Sequence, residues 1–122
     1  MKNYGIRVQT DLITRNKAES VLERVYLAVE YLCTSQGDVR ARLVGAVNTL
    51  LPLRTREFPE ELQPDFDWVM EQSTKYDNKV ESTMKRIKNS TGEKIAKKIF
   101  LIYSKIQDIR GFPLLEFRNS KD

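Results

Sequence analysis

Few residues of this chain have side chains that could carry out chemistry, and histidine is absent altogether. Without histidine, Ser-His-Asp and Cys-His catalysis, imidazole-ligated zinc and the di-iron sites of helical bundles are all excluded. Cys33 is the one cysteine, so a thiolate zinc or iron–sulfur site cannot form within one chain. Cys33 also falls on an apolar helix face, which predicts a buried and inert thiol.

Paired carboxylates remain as a source of hydrolytic chemistry, because two of them on one helix face could share a magnesium ion. Asp67 and Glu71 are four residues apart and would lie on one face. Glu57 and Glu60 have a similar spacing, but Pro59 lies between them and breaks a regular helix. A solvated helix face is the favoured interpretation of Asp67 and Glu71. We therefore expect a non-enzymatic protein with no catalytic residue, no metal and no cofactor.

Basic side chains could bind phosphate instead. Three lysines share a narrow arc of the last predicted helix and two further residues precede them; the set is Lys79, Arg86, Lys94, Lys98 and Lys105. Such a stripe could follow a nucleic-acid backbone, with an affinity that falls as salt rises. Tyr103 falls on the core face, no aromatic side chain is clearly placed to stack on bases, and lysines are common on solvated faces. Nucleic-acid binding is therefore the alternative hypothesis.

Some apolar residues lie on otherwise polar helix faces. Ile13, Leu27 and Tyr31 form a second line on the first predicted helix, away from its core stripe. Leu101 lies among the lysines of the last helix. A set of this kind is typical of a modest helix-packing interface, so these four residues are the candidate protein-binding surface. The leading hypothesis is a protein-interaction domain that self-associates, as a homodimer for example, or docks on a larger partner.

Helices must position all of these side chains, since apolar residues recur at steps of three and four along most of the chain. The pattern predicts an all-α fold, an antiparallel bundle of about four main helices. The short pair 64–75 and 78–89 can count as one arm. The predicted helices are 11–35, 38–51 with Asp38 as its N-cap, 64–75 with a short turn at 59–63, 78–89 and 91–110.

The last helix has the clearest pattern, an isoleucine stripe of Ile95, Ile99, Ile102, Ile106 and Ile109. A capping box at its start and Gly111 with Pro113 after it predict both ends. Residues 111–122 are predicted to be a non-helical tail and residues 1–10 an extended arm. The whole chain, 1–122, is predicted to be one domain.

The net charge is +4, but it is unevenly distributed. Residues 57–77 carry seven acidic and one basic side chain, whereas residues 78–110 carry nine basic and three acidic ones. Packing between helices of opposite charge is the simplest explanation.

No run approaches the ~20 apolar residues that span a bilayer, and a single cysteine suits a reducing compartment. The sequence thus predicts a soluble cytoplasmic protein that binds neither membranes nor small molecules.

Overall fold

A computed structural model describes the backbone of residues 19–121 and the side chains of residues 19–109. Within this part of the chain there are five α-helices, two short 3-10 turns and no strand, so the predicted all-α fold is confirmed. The predicted arm at 1–10 and Ile13 lie outside the described residues. The helices are α1 (19–34), α2 (Val39–Leu50), α3 (Gln63–Ser73), α4 (Val80–Arg86) and α5 (Asn89–Lys121), and the 3-10 turns are Thr55–Glu57 and Glu60–Leu62.

The core is built around the stripe of α5. Four of its isoleucines are at most 3% exposed, and they pack against apolar side chains from every other helix. Ile109, the fifth, is 42% exposed, so its predicted place in the core is wrong. Helix α1 buries Val21, Val25 and Ala28. Cys33 is exposed rather than buried, because it follows Ala28 by five residues, a rotation of about 140° away from the buried line.

Contacts between distant residues define the directions of the helices. Helix α1 is antiparallel to α2, since Arg24 donates to the Thr49 carbonyl and Arg42 donates to the Leu32 carbonyl. Helix α4 is also antiparallel to α2: one end of α2 bonds to Glu81 and the other to the Ile87 carbonyl. Helices α2 and α5 run in the same direction, with their first turns in contact at Gly92. Helix α1 lies between α2 and α5, with α2 on one side of it and α5 on the other.

The connection between α1 and α2 is held by side chains at both helix ends. Gly37 has a φ of 96°, a left-handed conformation that glycine adopts without a Cβ clash. The Arg42 guanidinium donates a 2.7 Å hydrogen bond to the Leu32 carbonyl, which lies in the last turn of α1. Asp38 is the N-cap of α2, as the sequence predicts: its carboxylate accepts from the amides of Arg40 (3.0 Å) and Ala41 (3.1 Å). Arg40 also reaches the Ile87 carbonyl at 3.0 Å.

The capping role of Asp38 makes a pH-dependent contribution to stability. The Ala41 amide and then the Arg40 side chain lower the pKa of the Asp38 carboxyl below its usual value. A carboxyl with a lowered pKa stabilises the fold above its unfolded pKa, and this stabilisation is lost as pH falls through the folded pKa. We expect Asp38→Asn, which still caps but cannot ionise, to have a lower Tm than the wild type at pH 6 and a smaller deficit in Tm at pH 3. Thermal unfolding followed by circular dichroism measures this, and an equal difference at both pH values would contradict it.

Helix α5 is longer than the sequence predicts. The pattern of Gly111 and Pro113 indicates an end, but the helix continues to Lys121. The predicted non-helical tail at 111–122 is therefore wrong over residues 111–121. A proline inside a helix removes its own N–H bond and disturbs the preceding turn, yet the leucine, glutamate and arginine residues after it favour helix.

The short helix α4 differs from its predicted range, 78–89, at both ends. Asp77 and Asn78 have positive φ angles of 56° and 57°, which excludes them from a right-handed helix. Lys79 is extended and acts as the N-cap position. At the other end Ile87 turns away with a ψ of 158° and buries its side chain. The connection from α3 to α4 is thus a loop with two left-handed residues rather than the beginning of a helix.

Candidate functional site

The carboxylates of Asp67 and Glu71 have different surroundings on α3. The Thr55 hydroxyl donates a hydrogen bond to the Asp67 carboxylate, which joins the first 3-10 turn to α3. Glu71 is exposed. Within the described residues no group of three or more acidic or cysteine side chains is placed to hold a metal ion. The Asp67 carboxylate of α3 therefore has a structural role, since it holds the loop that precedes the helix.

The predicted basic stripe is interrupted by contacts within the protein. Lys98 pairs with Asp65 of α3 at 3.3 Å and its ammonium lies 5.6 Å from the centre of the Trp68 ring. The stripe residues on either side, Lys94 and Lys105, are exposed but eleven positions apart, roughly 16 Å along a helix. A row of phosphates would thus meet two free ammonium groups of α5 rather than three.

The other two residues of the basic set lie around α4. Arg86 is 3.6 Å from the Asp77 carboxylate, and its guanidinium carbon lies 5.3 Å from the centre of the Tyr76 ring. Lys79 is exposed at the start of the helix. Arg86 has its charge partner on the neighbouring loop, so the structure does not bring the five basic residues together as one free surface.

The three candidate interface residues that the structure describes do not form one surface either. Leu27, Tyr31 and Leu101 are between 38% and 46% exposed, as the sequence predicts for them, and Ile13 is outside the described residues. Tyr31 packs on α2: a Cβ atom added to Gly45 would lie 2.7 Å from its ring. Leu101 belongs to the α3 side of α5, one turn after the lysine that pairs with Asp65. The α1 residues and Leu101 are thus on different flanks.

A different set of side chains forms an apolar surface between α1 and α5. The Tyr26 and Tyr103 ring centres are 6.2 Å apart, and those of Phe100 and Tyr103 are 6.4 Å apart. Both pairs are tilted, at spacings in the range where aromatic rings attract each other. Phe100 is 57% exposed and Tyr26 48% exposed, the two most exposed large apolar side chains of the described residues. We call Tyr26, Phe100 and Tyr103 the aromatic cluster.

The aromatic cluster lies in a groove that follows the α1–α5 boundary. One hollow of the groove has a volume of about 380 Å³ and is lined by Glu19, Leu22, Glu23, Tyr26, Tyr103 and Gln107. A separate hollow, of about 440 Å³, lies between the first turns of α2 and α5 and is lined by Asp38, Val39, Arg42, Asn89, Glu93, Ala96 and Lys97. We call the first hollow, together with the aromatic cluster, the aromatic groove.

The aromatic cluster was not predicted from the sequence, although a pattern for it exists. Tyr103 was expected in the core, and it is in fact half-buried at the edge of the core. Phe100 follows Ile99 directly and belongs to none of the apolar stripes that were predicted for the helices. A second line on α5 at Phe100, Tyr103 and Gln107, with steps of three and four, would have indicated it. The pairing with Tyr26 depends on how two distant helices pack, and one sequence does not contain that information.

Comparisons of the chain with protein-family models, with curated proteins and with solved structures gave no match. In the part of the chain that the structure describes, no helix is both long enough and apolar enough to cross a membrane. Function must therefore be inferred from the groove and its side chains.

Proposed function

We propose that this protein is a small, non-enzymatic, cytoplasmic interaction module that docks a helix of a partner protein in the aromatic groove. The observation that supports this most directly is the exposure of Tyr26 and Phe100, whose rings both lie next to that of Tyr103. Exposed aromatic side chains with polar neighbours are typical of interaction surfaces. Tyrosine is also among the residues that most often dominate binding energy at interfaces.

The shape of the groove suits a helix better than a small molecule. It lies between the antiparallel helices α1 and α5, and its hollow is open rather than enclosed. Small-molecule sites bury most of the ligand surface in a concave pocket. An amphipathic helix, by contrast, lays one apolar face into a shallow groove and inserts anchors at steps of three or four residues. The occupant we propose is therefore a helical segment.

The expected contribution of the aromatic cluster is large enough to measure. An aromatic side chain has roughly 150–250 Å² of surface, and about half of that is exposed on Tyr26 and on Phe100. Burying ~100 Å² per ring at ~25 cal/mol/Å² gives about 2.5 kcal/mol for each. Loss of one ring should then weaken binding by roughly tenfold to a hundredfold.

The experiment compares three forms of the purified full-length protein as bait in cell extract: the wild type, Phe100→Ala and Leu51→Ala. Leu51 is 47% exposed at the end of α2, outside the groove, and is the matched control. We expect quantitative mass spectrometry to find proteins that are depleted at least tenfold with Phe100→Ala and retained with Leu51→Ala. Equal recovery by all three forms, or losses shared by both variants, would reject the aromatic groove as the docking site.

A further inference from the structure

Building on the proposed function, we propose that residues 1–10 of this chain, the arm, cover the aromatic cluster in the free protein and leave it when a partner helix docks. The described chain begins at Glu19, and Glu19 lines the hollow together with Tyr26 and Tyr103. The arm is therefore joined to the protein near the surface that it covers. It acts as an internal competitor for the aromatic groove.

The arm is long enough to reach the aromatic rings. Ten extended residues span roughly 33 Å. The longest path applies if α1 begins at residue 11, as the sequence predicts, because Tyr26 is then fifteen residues, or roughly 22 Å, further along the helix. Phe100 precedes Tyr103 by three residues on the antiparallel helix α5, which adds roughly 4.5 Å. Both rings are within the span of the arm, and a later start of α1 makes the path shorter.

The apolar side chains of the arm have the spacing that such a contact needs. Tyr4, Ile6 and Val8 recur at steps of two, so they lie on one side of an extended segment. Two residues of an extended chain span roughly 6.6 Å. The ring centres of the aromatic cluster are 6.2 and 6.4 Å apart, which is a similar spacing. Three apolar side chains of the arm can thus meet three rings.

Attachment to the same chain gives the arm an advantage over other occupants of the groove. A short connection keeps a segment at an effective concentration in the mM range. At about 1 mM, a contact with a Kd of about 0.1 mM between separate molecules is occupied about 90% of the time. A partner helix finds the groove open in the remaining tenth, so its apparent Kd is raised roughly tenfold. A second copy of the chain at micromolar concentration competes about a thousandfold less well.

Hydroxyl-radical footprinting of the full-length protein tests the contact directly. The variant Ile6→Ser/Val8→Ser removes the apolar side of the arm and keeps its length. We expect it to raise the oxidation rates of Tyr26 and Phe100 by about threefold or more, because the rings are then uncovered. Equal rates in this variant and in the wild type would overturn the proposal. Protection that grows with protein concentration would also overturn it, because a second copy then covers the rings.

The matched control is Arg7→Ser/Gln9→Ser, whose residues alternate with the apolar ones and lie on the opposite side of an extended arm. It should leave the oxidation of both rings unchanged, and an increase equal to that of the first variant would count against the contact. A fluorescent peptide of residues 1–10 is the second probe. It should bind Ile6→Ser/Val8→Ser about threefold or more tightly than the wild type, whose own arm occupies the groove. Equal binding to both would reject the contact.

Docking is measured with the same variants as bait in cell extract, followed for the proteins that Phe100→Ala depletes. We expect Ile6→Ser/Val8→Ser to recover about threefold or more of these proteins than the wild type, because its groove is open. If the rings are equally oxidised in all forms but Phe100→Ala still depletes proteins, partner docking stands and the arm contact is rejected. If the arm protects the rings but Phe100→Ala depletes no protein even when combined with Ile6→Ser/Val8→Ser, the docking function is rejected and the arm has no partner to exclude.

Discussion

Ile99→Ala is expected to lower the free energy of unfolding by about 2–5 kcal/mol, which is a large part of the total for a domain of this size. The Ile99 side chain is fully buried and lines an internal contact between α1, α2, α3 and α5 that also includes Val25, Leu50 and Phe66. Its removal loses apolar contact on all of these sides and leaves a cavity that the helices cannot close without moving. The Tm should fall by roughly 10–20 °C.

The next residue along the chain provides the control for this prediction. Phe100 is 57% exposed, so Phe100→Ala removes a larger side chain and should still change stability by less than about 1 kcal/mol. Ile99→Val, which deletes one methyl group, should cost about 0.5–1.5 kcal/mol. Urea unfolding of the three variants with a common m-value measures these differences. A Phe100→Ala cost as large as that of Ile99→Ala would contradict the burial of α5 described above.

The second large effect is expected at Thr83, a fully buried residue of α4. Its hydroxyl accepts a hydrogen bond from the Tyr76 amide at 2.9 Å and donates to the Lys79 carbonyl at 2.8 Å. This hydroxyl thereby fixes the loop that contains two left-handed residues. Thr83→Val keeps the shape and removes the hydroxyl, so the Tyr76 amide loses its partner at a cost of about 1–3 kcal/mol. Urea unfolding measures the loss.

Ser73 is the matched comparison, because it is equally buried but its hydroxyl makes no hydrogen bond within the described residues. Ser73→Ala removes an unsatisfied polar group and replaces serine by the best helix former, so it should be neutral or stabilising by up to about 1 kcal/mol. Opposite signs for Thr83→Val and Ser73→Ala are thus expected from two buried hydroxyl deletions. Equal destabilisation by both would show that Ser73 has a partner that its geometry does not reveal.

The elements of this fold that could be predicted from the sequence are those with strong local patterns. The stripe from Ile95 to Ile106 and the N-cap at Asp38 depend on residues within one or two turns, and both were predicted correctly. The end of α5 was not, because Gly111 and Pro113 only lower helix stability and do not forbid a helix. The predicted start of α5 was also two residues late, since the helix begins at Asn89 rather than at residue 91.

The candidate site was less predictable than the fold, since it depends on which helices become neighbours. The exposure of Leu27 and Tyr31 followed from their angular positions on α1, but the packing of Tyr31 on Gly45 required the position of α2. Lys98 was assigned to a free basic face because its partner, Asp65, lies thirty-three residues earlier and on another helix. Pairings of this kind are set by tertiary structure and leave no periodic trace in a single sequence.

The hydrogen bonds that Arg40 and Arg42 of α2 make to distant carbonyl groups also indicate an order of folding. The bond from Arg42 to the Leu32 carbonyl joins residues ten apart, whereas the bond from Arg40 to the Ile87 carbonyl joins residues forty-seven apart. The entropic cost of closing a chain segment grows with the logarithm of the segment's length. Closing the longer segment therefore costs roughly 1.4 kcal/mol more before any contact compensates it. The α1–α2 hairpin can therefore form early, while α4 reaches α2 only after the intervening chain has collapsed.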